Sequence, residues 1–192
     1  MDDPEILVTR QKIHGTNGSV YGAELRERLP DCEITVAETP AEERDRLQTA
    51  DIATGLELTP SQLEQADSLD LFACVYAGTG HLDLDAFEER GIAVTNASGV
   101  HTTNIAEYVV GAMISMAQQF PLAYERTNRR EWRSYPTREL HDSTAAVVGL
   151  GAIGREIVDR LDAFGMETVG VRYSPEKGGP TDEVFGFDEI HE

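Results

Sequence analysis

Residues 145–154 are Ala145-Ala146-Val147-Val148-Gly149-Leu150-Gly151-Ala152-Ile153-Gly154, and this stretch decides the fold of the C-terminal part of the chain. The four apolar residues predict a strand, and the three glycines that follow have the spacing G-x-G-x-x-G. In this pattern the first glycine makes a tight turn, the second lets a pyrophosphate approach the backbone, and the third allows close packing of helix on strand. Because 17 glycines in 192 residues can produce the spacing by chance, the flanking sequence has to support it.

The flanking sequence supports a dinucleotide-binding unit. Apolar residues recur at i, i+4, i+8 and i+11 from Ile153 to Phe164, which predicts a helix that ends at Gly165, and residues 168–171 predict a second strand. Strand, glycine turn, helix and strand within about thirty residues is the unit that the fingerprint requires. The backbone N–H groups of the turn and of the helix N-terminus predict an anion site. The predicted cofactor-binding residues in this turn are Gly149, Gly151, Ala152, Ile153 and Gly154.

Residues 1–100 alternate between short apolar runs and helix-like segments. The runs are apolar on both faces, as in residues 71–76, which indicates strands covered on both sides of a sheet. Strict alternation of strand and helix predicts a parallel sheet, so we expect a flavodoxin-like α/β domain. Thr39 and Pro40 have the residue types of a helix cap and a first helical position. The strands are predicted at residues 5–9, 34–36, 51–54, 71–76 and 92–95, and the helices at 22–29, from 40 onward, 60–66 and 83–89.

A long apolar helix is predicted over residues 103–120, with Thr102 or Thr103 as its cap. It has two apolar stripes, so one covered face does not suffice and we expect it to pack between domains or subunits. Residues 126–138 predict an irregular connector, and Asp188 predicts the cap of one final helical turn. The two stripes comprise Ile105, Val109, Met113, Met116 and Phe120 in one, and Ala106, Val110 and Ile114 in the other.

The charge of the chain restricts its partners. It has 35 acidic and 16 basic residues, hence a formal net charge of −19, and only Lys12 and Lys177 are lysines. Such a charge repels phosphate backbones and anionic lipid, so binding to nucleic acid or to a membrane surface is not expected. An acidic, lysine-poor surface is typical of proteins from halophiles that accumulate salt; the alternative is an ordinary acidic protein.

Several other features point to a cytoplasmic protein without a metal site. Cys32 and Cys74 lie in apolar runs, which favours buried thiols over a disulfide framework. No histidine or cysteine cluster has the spacing of metal ligands. The start of the chain lacks the basic and apolar regions of a signal peptide, and the longest uncharged run, residues 108–124, is too short and polar to span a bilayer.

Four stretches of the chain resemble the D-isomer-specific 2-hydroxyacid dehydrogenases: residues 76–83, 91–96, 104–108 and 149–165. They stand in the order of that family and together span about residues 71–174. The resemblance implies a substrate (catalytic) domain at residues 1–100, followed at 101–192 by an interdomain and dimer helix and an incomplete, truncated Rossmann domain for NAD(P). It also implies reduction of 2-keto acids to D-2-hydroxy acids by a homodimer.

The resemblance implies roles for particular residues. The backbone N–H groups of Ala77, Gly78 and Thr79 are expected to bind the substrate carboxylate, since small residues at the carboxyl end of a strand let an anion approach. Gly80 departs from the family, which usually has Asp or Asn there. Thr103 lies near the position at which the long helix of the family faces the nicotinamide.

No catalytic residue is assigned. The family uses an arginine, an acidic residue and a histidine downstream of the second nucleotide-domain strand, and none of the five histidines here matches that position or has a carboxylate at orienting spacing. His81 is expected to pack within its loop. We therefore expect the chain to be inactive alone, with its catalytic residues beyond Glu192. The alternatives are a non-catalytic, dimerising module like the corepressors of the family, or a branch that oxidises formate or phosphite.

The residue at the end of the second nucleotide-domain strand predicts the cofactor. Sites that prefer NAD have an acidic residue about twenty positions after the fingerprint, which bonds the adenine ribose. Counting 23 residues on from Gly149 reaches Arg172, followed by Tyr173 and Ser174. A guanidinium suits a 2′-phosphate, and the serine hydroxyl adds a donor. We predict that NADP is preferred and that NAD is possible, with these three residues in the cofactor site.

Overall fold

Short apolar strands alternate with helices throughout the chain, and the strands form two parallel sheets. The chain is seen in a computed structural model that describes residues 4–10 and 15–190. It divides into two compact units, Met1–Ser98 and Gly99–Glu192. The assignment of a substrate domain to residues 1–100 and of a dinucleotide domain to residues 101–192 stays a prediction.

The first unit contains a five-stranded parallel sheet in the order β2-β1-β3-β4-β5. This is the flavodoxin-type order, so the predicted fold class is confirmed. All strand carboxyl ends lie at one edge of a parallel sheet, and ligands bind there. The strands are β1 (Glu5–Val8), β2 (Glu33–Val36), β3 (Ile52–Gly55), β4 (Leu71–Cys74) and β5 (Ala93–Asn96).

Four helices cover this sheet: α1 (Gly18–Arg28), α2 (Pro40–Leu47), α3 (Pro60–Leu63) and α4 (Leu84–Glu89). The Thr39 side chain accepts from the N–H of Glu42 at 3.2 Å, as its predicted capping role requires. Helix α1 begins four residues earlier than predicted, because Asn17 caps it by accepting from the N–H of Ser19 at 3.2 Å.

The core of the first unit lies on both faces of the sheet. On one face Phe72 and Phe87 stack with ring centroids 5.4 Å apart, beside the fully buried Leu7 and Leu47. Glu43 is a buried carboxylate, and it is compensated by Arg10 and Gln62. The Arg10 N–H donates to it at 2.8 Å, the Arg10 guanidinium lies 3.4 Å away, and Gln62 donates at 3.2 Å.

The second unit contains a three-stranded parallel sheet in the order β6-β7-β8. The strands are β6 (Thr144–Val148), β7 (Glu167–Val171) and β8 (Glu183–Phe185), and α7 (Ala152–Asp162) connects the first two. The predicted strand, glycine turn, helix and strand are confirmed. The short β8 was not predicted, and two 3₁₀ turns, Pro175–Lys177 and Phe187–Glu189, flank it.

The prediction that Asp188 caps a final helical turn is wrong. It lies inside the 3₁₀ turn Phe187–Glu189, and Gly186 precedes that turn. The N–H of Gly186 donates to the Glu189 carboxylate at 2.8 Å, so the acidic side chain that closes the turn is the next one along the chain. The end of the predicted helical turn, residues 191–192, lies outside the described residues.

The long apolar helix is shorter than predicted and is followed by a second helix. Helix α5 (Thr102–Ala117) ends before Gln119, which has a left-handed φ of 52°, and α6 (Phe120–Asn128) begins directly after it. Pro121 has no N–H to continue the first helix. The carbonyl of Ala117 instead accepts from the N–H of Arg138 at 2.9 Å. The predicted irregular connector therefore begins only after Asn128.

Neither threonine caps α5. His101 is the cap residue and makes no side-chain capping bond, while the Thr102 hydroxyl donates to the carbonyl of Gly99 at 2.8 Å. Along its length α5 packs on α7, with Val110 against Leu161 and Met166 in the core of the second unit. Among residues 4–10 and 15–190, no helix has the length and apolar character needed to cross a membrane.

Candidate functional site

The loop after β4 contains three neighbouring backbone donors. Ala77, Gly78 and Thr79 follow the strand at the carboxyl edge of the sheet, and Gly78 is exposed. Within the part of the chain that the structure describes, their N–H groups donate no hydrogen bond to a protein atom. Donors in this arrangement can bind an anion such as a carboxylate. The structure thus brings the three predicted substrate residues together as a group of available donors.

Hydrogen bonds to the neighbouring strands hold this 77–79 loop. On the β3 side, the N–H of Val75 donates to the carbonyl of Gly55 at 2.9 Å. On the β5 side, the N–H of Ala97 donates to the carbonyl of Tyr76 at 3.0 Å, and Asn96 Nδ2 donates to the carbonyl of Ala77 at 2.8 Å. Asn96 was not predicted as a site residue. Its place at the end of β5, next to β4, is the signal that identifies it.

His81 lies just beyond the loop. Its Nε2 is 2.8 Å from the carbonyl oxygen of Leu56, in the segment after β3, and its ring meets Tyr76 edge-on at 5.6 Å. The predicted packing role agrees with these contacts, and the hydrogen bond adds a second role that the sequence did not indicate. Gly80 has open space where a side chain would begin, so no steric contact in this loop requires a glycine at this position.

The glycine turn of the second unit has the geometry that its motif predicts. Gly149 has a φ of +100°, which favours glycine, and its N–H donates to the carbonyl of Val171 at 2.8 Å. A Cβ on Gly154 would lie 2.0 Å from the Gly149 carbonyl oxygen, so the third glycine is required for helix α7 to meet the turn. These two glycines are explained by the fold alone.

Gly151 is different, because no protein atom lies within 4 Å of the position its Cβ would occupy. It precedes α7 and offers no side chain to cap the helix. Over the described residues, the N–H groups of Leu150 and Gly151 have no protein acceptor, and those of Ala152 and Ile153 belong to the first turn, where helices leave donors unpaired. Open space beside unpaired donors fits a pyrophosphate, so the turn can hold a dinucleotide.

Arg172, Tyr173 and Ser174 follow β7 at the same edge of the second sheet. Val148 pairs with Val171, so Gly149 and Arg172 begin adjacent loops, as a cofactor spanning them requires. Arg172 is half-buried, and its Nη1 donates to the carbonyl of Gly178 at 2.6 Å. Among the described residues its Nε and Nη2 make no further hydrogen bond, while Tyr173 is almost fully exposed.

The remaining candidates are less well placed. Thr103 is exposed at the second position of α5. His141 Nε2 lies 3.4 Å from Asp142, a histidine–carboxylate pair that the sequence analysis did not expect, but both side chains are exposed. His14 and His191 lie outside the described residues. In residues 4–10 and 15–190, no three His, Cys, Asp or Glu side chains group to hold a metal ion.

Comparison with known proteins identifies the second unit. Residues 110–192 match the family model described as D-isomer specific 2-hydroxyacid dehydrogenase, NAD binding domain. This match contains the glycine turn and the loop that begins at Arg172. The predicted Rossmann-like unit is therefore that of a nicotinamide dinucleotide-binding domain.

Similar proteins cover nearly the whole chain. D-3-phosphoglycerate dehydrogenase of Methanocaldococcus jannaschii is 30% identical over 174 residues, which is 88% of this chain and 33% of the relative. A glyoxylate/hydroxypyruvate reductase of Arabidopsis thaliana is 31% identical over 118 residues, 59% of this chain and 36% of the relative. A D-isomer specific 2-hydroxyacid dehydrogenase family protein of Aeromonas salmonicida has a structure with a TM-score of 0.77 at 27% identity, covering 98% of this chain and 59% of that one. The chain thus spans about a third of the length of these curated relatives.

Substitution of Gly151 distinguishes a ligand-binding turn from a purely structural one. Gly151→Ala meets no protein atom, so stability should change by less than about 1 kcal/mol. If a pyrophosphate approaches this backbone, the added methyl group should weaken NADPH binding at least about tenfold. Calorimetric titration with NADPH and thermal unfolding provide the two measurements.

Two further variants serve as controls for this experiment. Gly154→Ala should lower stability by about 1–3 kcal/mol, because its methyl group overlaps a backbone carbonyl. Gly111→Ala, in open space within α5, should leave NADPH binding unchanged. Unaltered NADPH affinity in Gly151→Ala would mean that the turn has only a structural role.

Proposed function

Because this chain belongs to the D-isomer specific 2-hydroxyacid dehydrogenase family, we propose that the protein reduces 2-keto acids to D-2-hydroxy acids in the cytoplasm with a nicotinamide dinucleotide. The observation that carries the proposal is the 77–79 loop, in which three adjacent N–H groups have no acceptor among the described residues. A carboxylate oxygen accepts such hydrogen bonds, and 2-keto and 2-hydroxy acids share this group.

The reaction adds a hydride to the keto carbon and a proton to the keto oxygen. The reduced nicotinamide supplies the hydride when bound. The residues of this chain contribute binding: the 77–79 loop receives the carboxylate, and the donors from Leu150 to Ile153 receive the pyrophosphate. The proton donor and the cation that polarises the carbonyl are not assigned to any residue of these 192.

Titration with pyruvate tests the proposed substrate site. Pyruvate should shift the amide resonances of Ala77, Gly78 and Thr79 in a ¹⁵N-correlated spectrum of the 192-residue chain, whereas methyl pyruvate, which lacks the carboxylate, should not. We expect no oxidation of NADPH by pyruvate, because no proton donor is assigned here. Absence of shifts at the three amides would refute the substrate site. Larger shifts with formate or phosphite than with pyruvate would favour a branch with another hydride donor.

We propose further that NADP is the preferred cofactor, with NAD as the alternative. Arg172 supports this preference: its Nη1 donates to the carbonyl of Gly178, while its Nε and Nη2 have no acceptor in the part of the chain that the structure describes, and its loop is adjacent to the glycine turn. The loop also contains Ser174 and Lys177, and a guanidinium, a hydroxyl and an ammonium suit a 2′-phosphate. A charge-assisted contact of about 1.5–3 kcal/mol corresponds to roughly ten- to hundredfold tighter binding of NADPH than of NADH.

Arg172→Asp should therefore weaken NADPH binding and bring the affinities for NADPH and NADH close to parity. The aspartate repels a 2′-phosphate and accepts hydrogen bonds from a free ribose. Arg28→Asp makes the same change of charge at an exposed position of the first unit and should leave both affinities unchanged. The measurement is the Kd of each cofactor in one buffer, since salt screens this contact. Equal Kd values for NADPH and NADH in the unmutated chain would show that Arg172 does not recognise the 2′-phosphate.

We also propose that the chain forms a homodimer through α5 and the segments that follow it. Large apolar side chains support this: Tyr108 (76% exposed) and Met116 (78%) on α5, Tyr124 (74%) on α6, and Trp132 (fully exposed). Exposed apolar groups of this size mark interaction surfaces. The 126–138 segment adds charge complementarity to an acidic second copy, because it contains Arg126, Arg129, Arg130, Arg133 and Arg138.

The 126–138 segment is held in shape by its own contacts. Arg126 donates from Nη1 to the carbonyls of Arg133 and Ser134, each at 3.1 Å, and lies 5.1 Å above the centroid of the Tyr135 ring. The hydrogen bond from Arg133 lowers the pKa of Glu131. These residues and Trp132 line a cavity of about 390 Å³. A preformed surface of this kind favours association, because less freedom is lost on binding.

Dimerisation should depend on salt, since two chains of −19 repel each other and salt screens the repulsion. We propose that the acidic surface is a halophilic adaptation, so sedimentation should give a dimer in molar KCl and dissociation in dilute buffer. Met116→Glu should give a monomer even in molar KCl, because it adds charge to the exposed face of α5. Val20→Glu, at an exposed apolar position of α1, should remain dimeric. A folded, monomeric wild-type chain in molar KCl would contradict the proposed interface.

A further inference from the structure

We propose that His81 is a positioning residue for the 77–79 loop. By donating from Nε2 to the carbonyl of Leu56, it holds the three N–H groups of the loop in the arrangement that receives a carboxylate. This inference rests on the proposed function, since it concerns the same loop. It assigns to His81 an action through the loop and no contact with the substrate.

The geometry fixes the direction of this hydrogen bond. A carbonyl oxygen only accepts, and Nε2 lies 2.8 Å from it, so Nε2 carries the hydrogen. Cys74 Sγ is 3.4 Å from the same oxygen and 3.9 Å from Nε2, and a thiol is a weak donor. His81 therefore makes the stronger of the two side-chain bonds to this carbonyl.

The position of His81 makes this bond a tether. The last backbone bond from β4 to the β3 side is donated by Val75, which precedes the loop. Beyond the loop, the N–H of Leu82 donates to the carbonyl of Thr79 at 2.9 Å and closes a turn around His81. Before the loop, Val75 binds Gly55, the last residue of β3, and after it His81 binds Leu56, the next residue, while Asn96 holds the β5 side of the loop.

The loop needs such a tether because its own residues restrain it little. Gly78 and Gly80 have no side chains, and neither has a protein atom within 4 Å of the position a Cβ would occupy. Glycine has the widest choice of backbone conformations. An untethered loop with two glycines would therefore lose much conformational entropy on binding a ligand, which weakens the binding. Holding the loop before binding reduces that cost.

Two substitutions separate the hydrogen bond from simple packing. His81→Phe keeps a ring for the edge contact with Tyr76 but removes the donor. His81→Gln removes the ring and keeps an N–H donor at a similar reach. If packing alone mattered, phenylalanine would be the better replacement; if the tether matters, glutamine would be.

The test uses the 192-residue chain, with pyruvate as the probe. His81→Phe should lower the heteronuclear NOE of the Ala77, Gly78 and Thr79 amides and raise the pyruvate Kd about three- to tenfold, as expected for one hydrogen bond. His81→Gln should restore both values toward wild type. His141→Phe, an exposed histidine of the second unit, should change neither.

The inference is overturned if His81→Phe leaves the NOE values and the Kd unchanged, or if His81→Phe matches wild type better than His81→Gln does. A measurement without mutation also tests it: ¹⁵N shifts of the neutral His81 ring should report hydrogen on Nε2, and hydrogen on Nδ1 alone would rule out the tether. The proposed function has its own mode of failure, namely a wild-type loop whose amides do not respond to pyruvate.

Discussion

Both candidate sites depend on one constraint, which is that backbone N–H groups lose their acceptors where a parallel strand ladder stops. Among the described residues this occurs in the first unit after β4, at Ala77, Gly78 and Thr79, and in the second unit after β6, at Leu150 and Gly151. A buried N–H without an acceptor costs about 1–3 kcal/mol, so such groups stay where water or a ligand can accept from them. Small residues keep that access open, and the fold thereby produces two anion-binding loops from backbone alone.

Backbone N–H donors suit a chain with a formal charge of −19, because they can bind an anionic ligand without a lysine or arginine side chain at the site. Several arginines donate to backbone carbonyl oxygens of a strand or of loops: Arg26 to Ile34 of β2, Arg126 to Arg133 and Ser134, and Arg172 to Gly178. Arginine presents five donors and is more weakly hydrated than lysine. A guanidinium therefore suits these three structural positions better than an ammonium would.

The sequence predicts strands β1, β3 and β4 well because their burial on both faces of the sheet leaves a continuous apolar signal. It predicts the glycine turn equally well, since the roles of Gly149 and Gly154 follow from local sterics. Prediction fails where a short-range signal is weak or a longer-range one overrides it. Strand β8 has only three residues, with Val184 and Phe185 half-buried, which is too short for a periodic signal, and the break at Gln119 interrupts an apolar stripe that continues to Phe120. Pro121 lies directly after the predicted end at Phe120, in the first turn of α6, and because it has no N–H it cannot continue α5.

Each candidate site likewise has a part that the sequence predicts and a part that it does not. Donor loops are predictable from small residues after a strand, but the side chains that hold them are not, because their partners lie far away in sequence. His81 binds a carbonyl 25 residues earlier, and Asn96 binds one 19 residues earlier. Both become predictable once the strand order is known, since β3 and β5 are the neighbours of β4 and all carboxyl ends share one edge. In this chain, strand order more than any motif therefore determines which polar side chains can reach the loop.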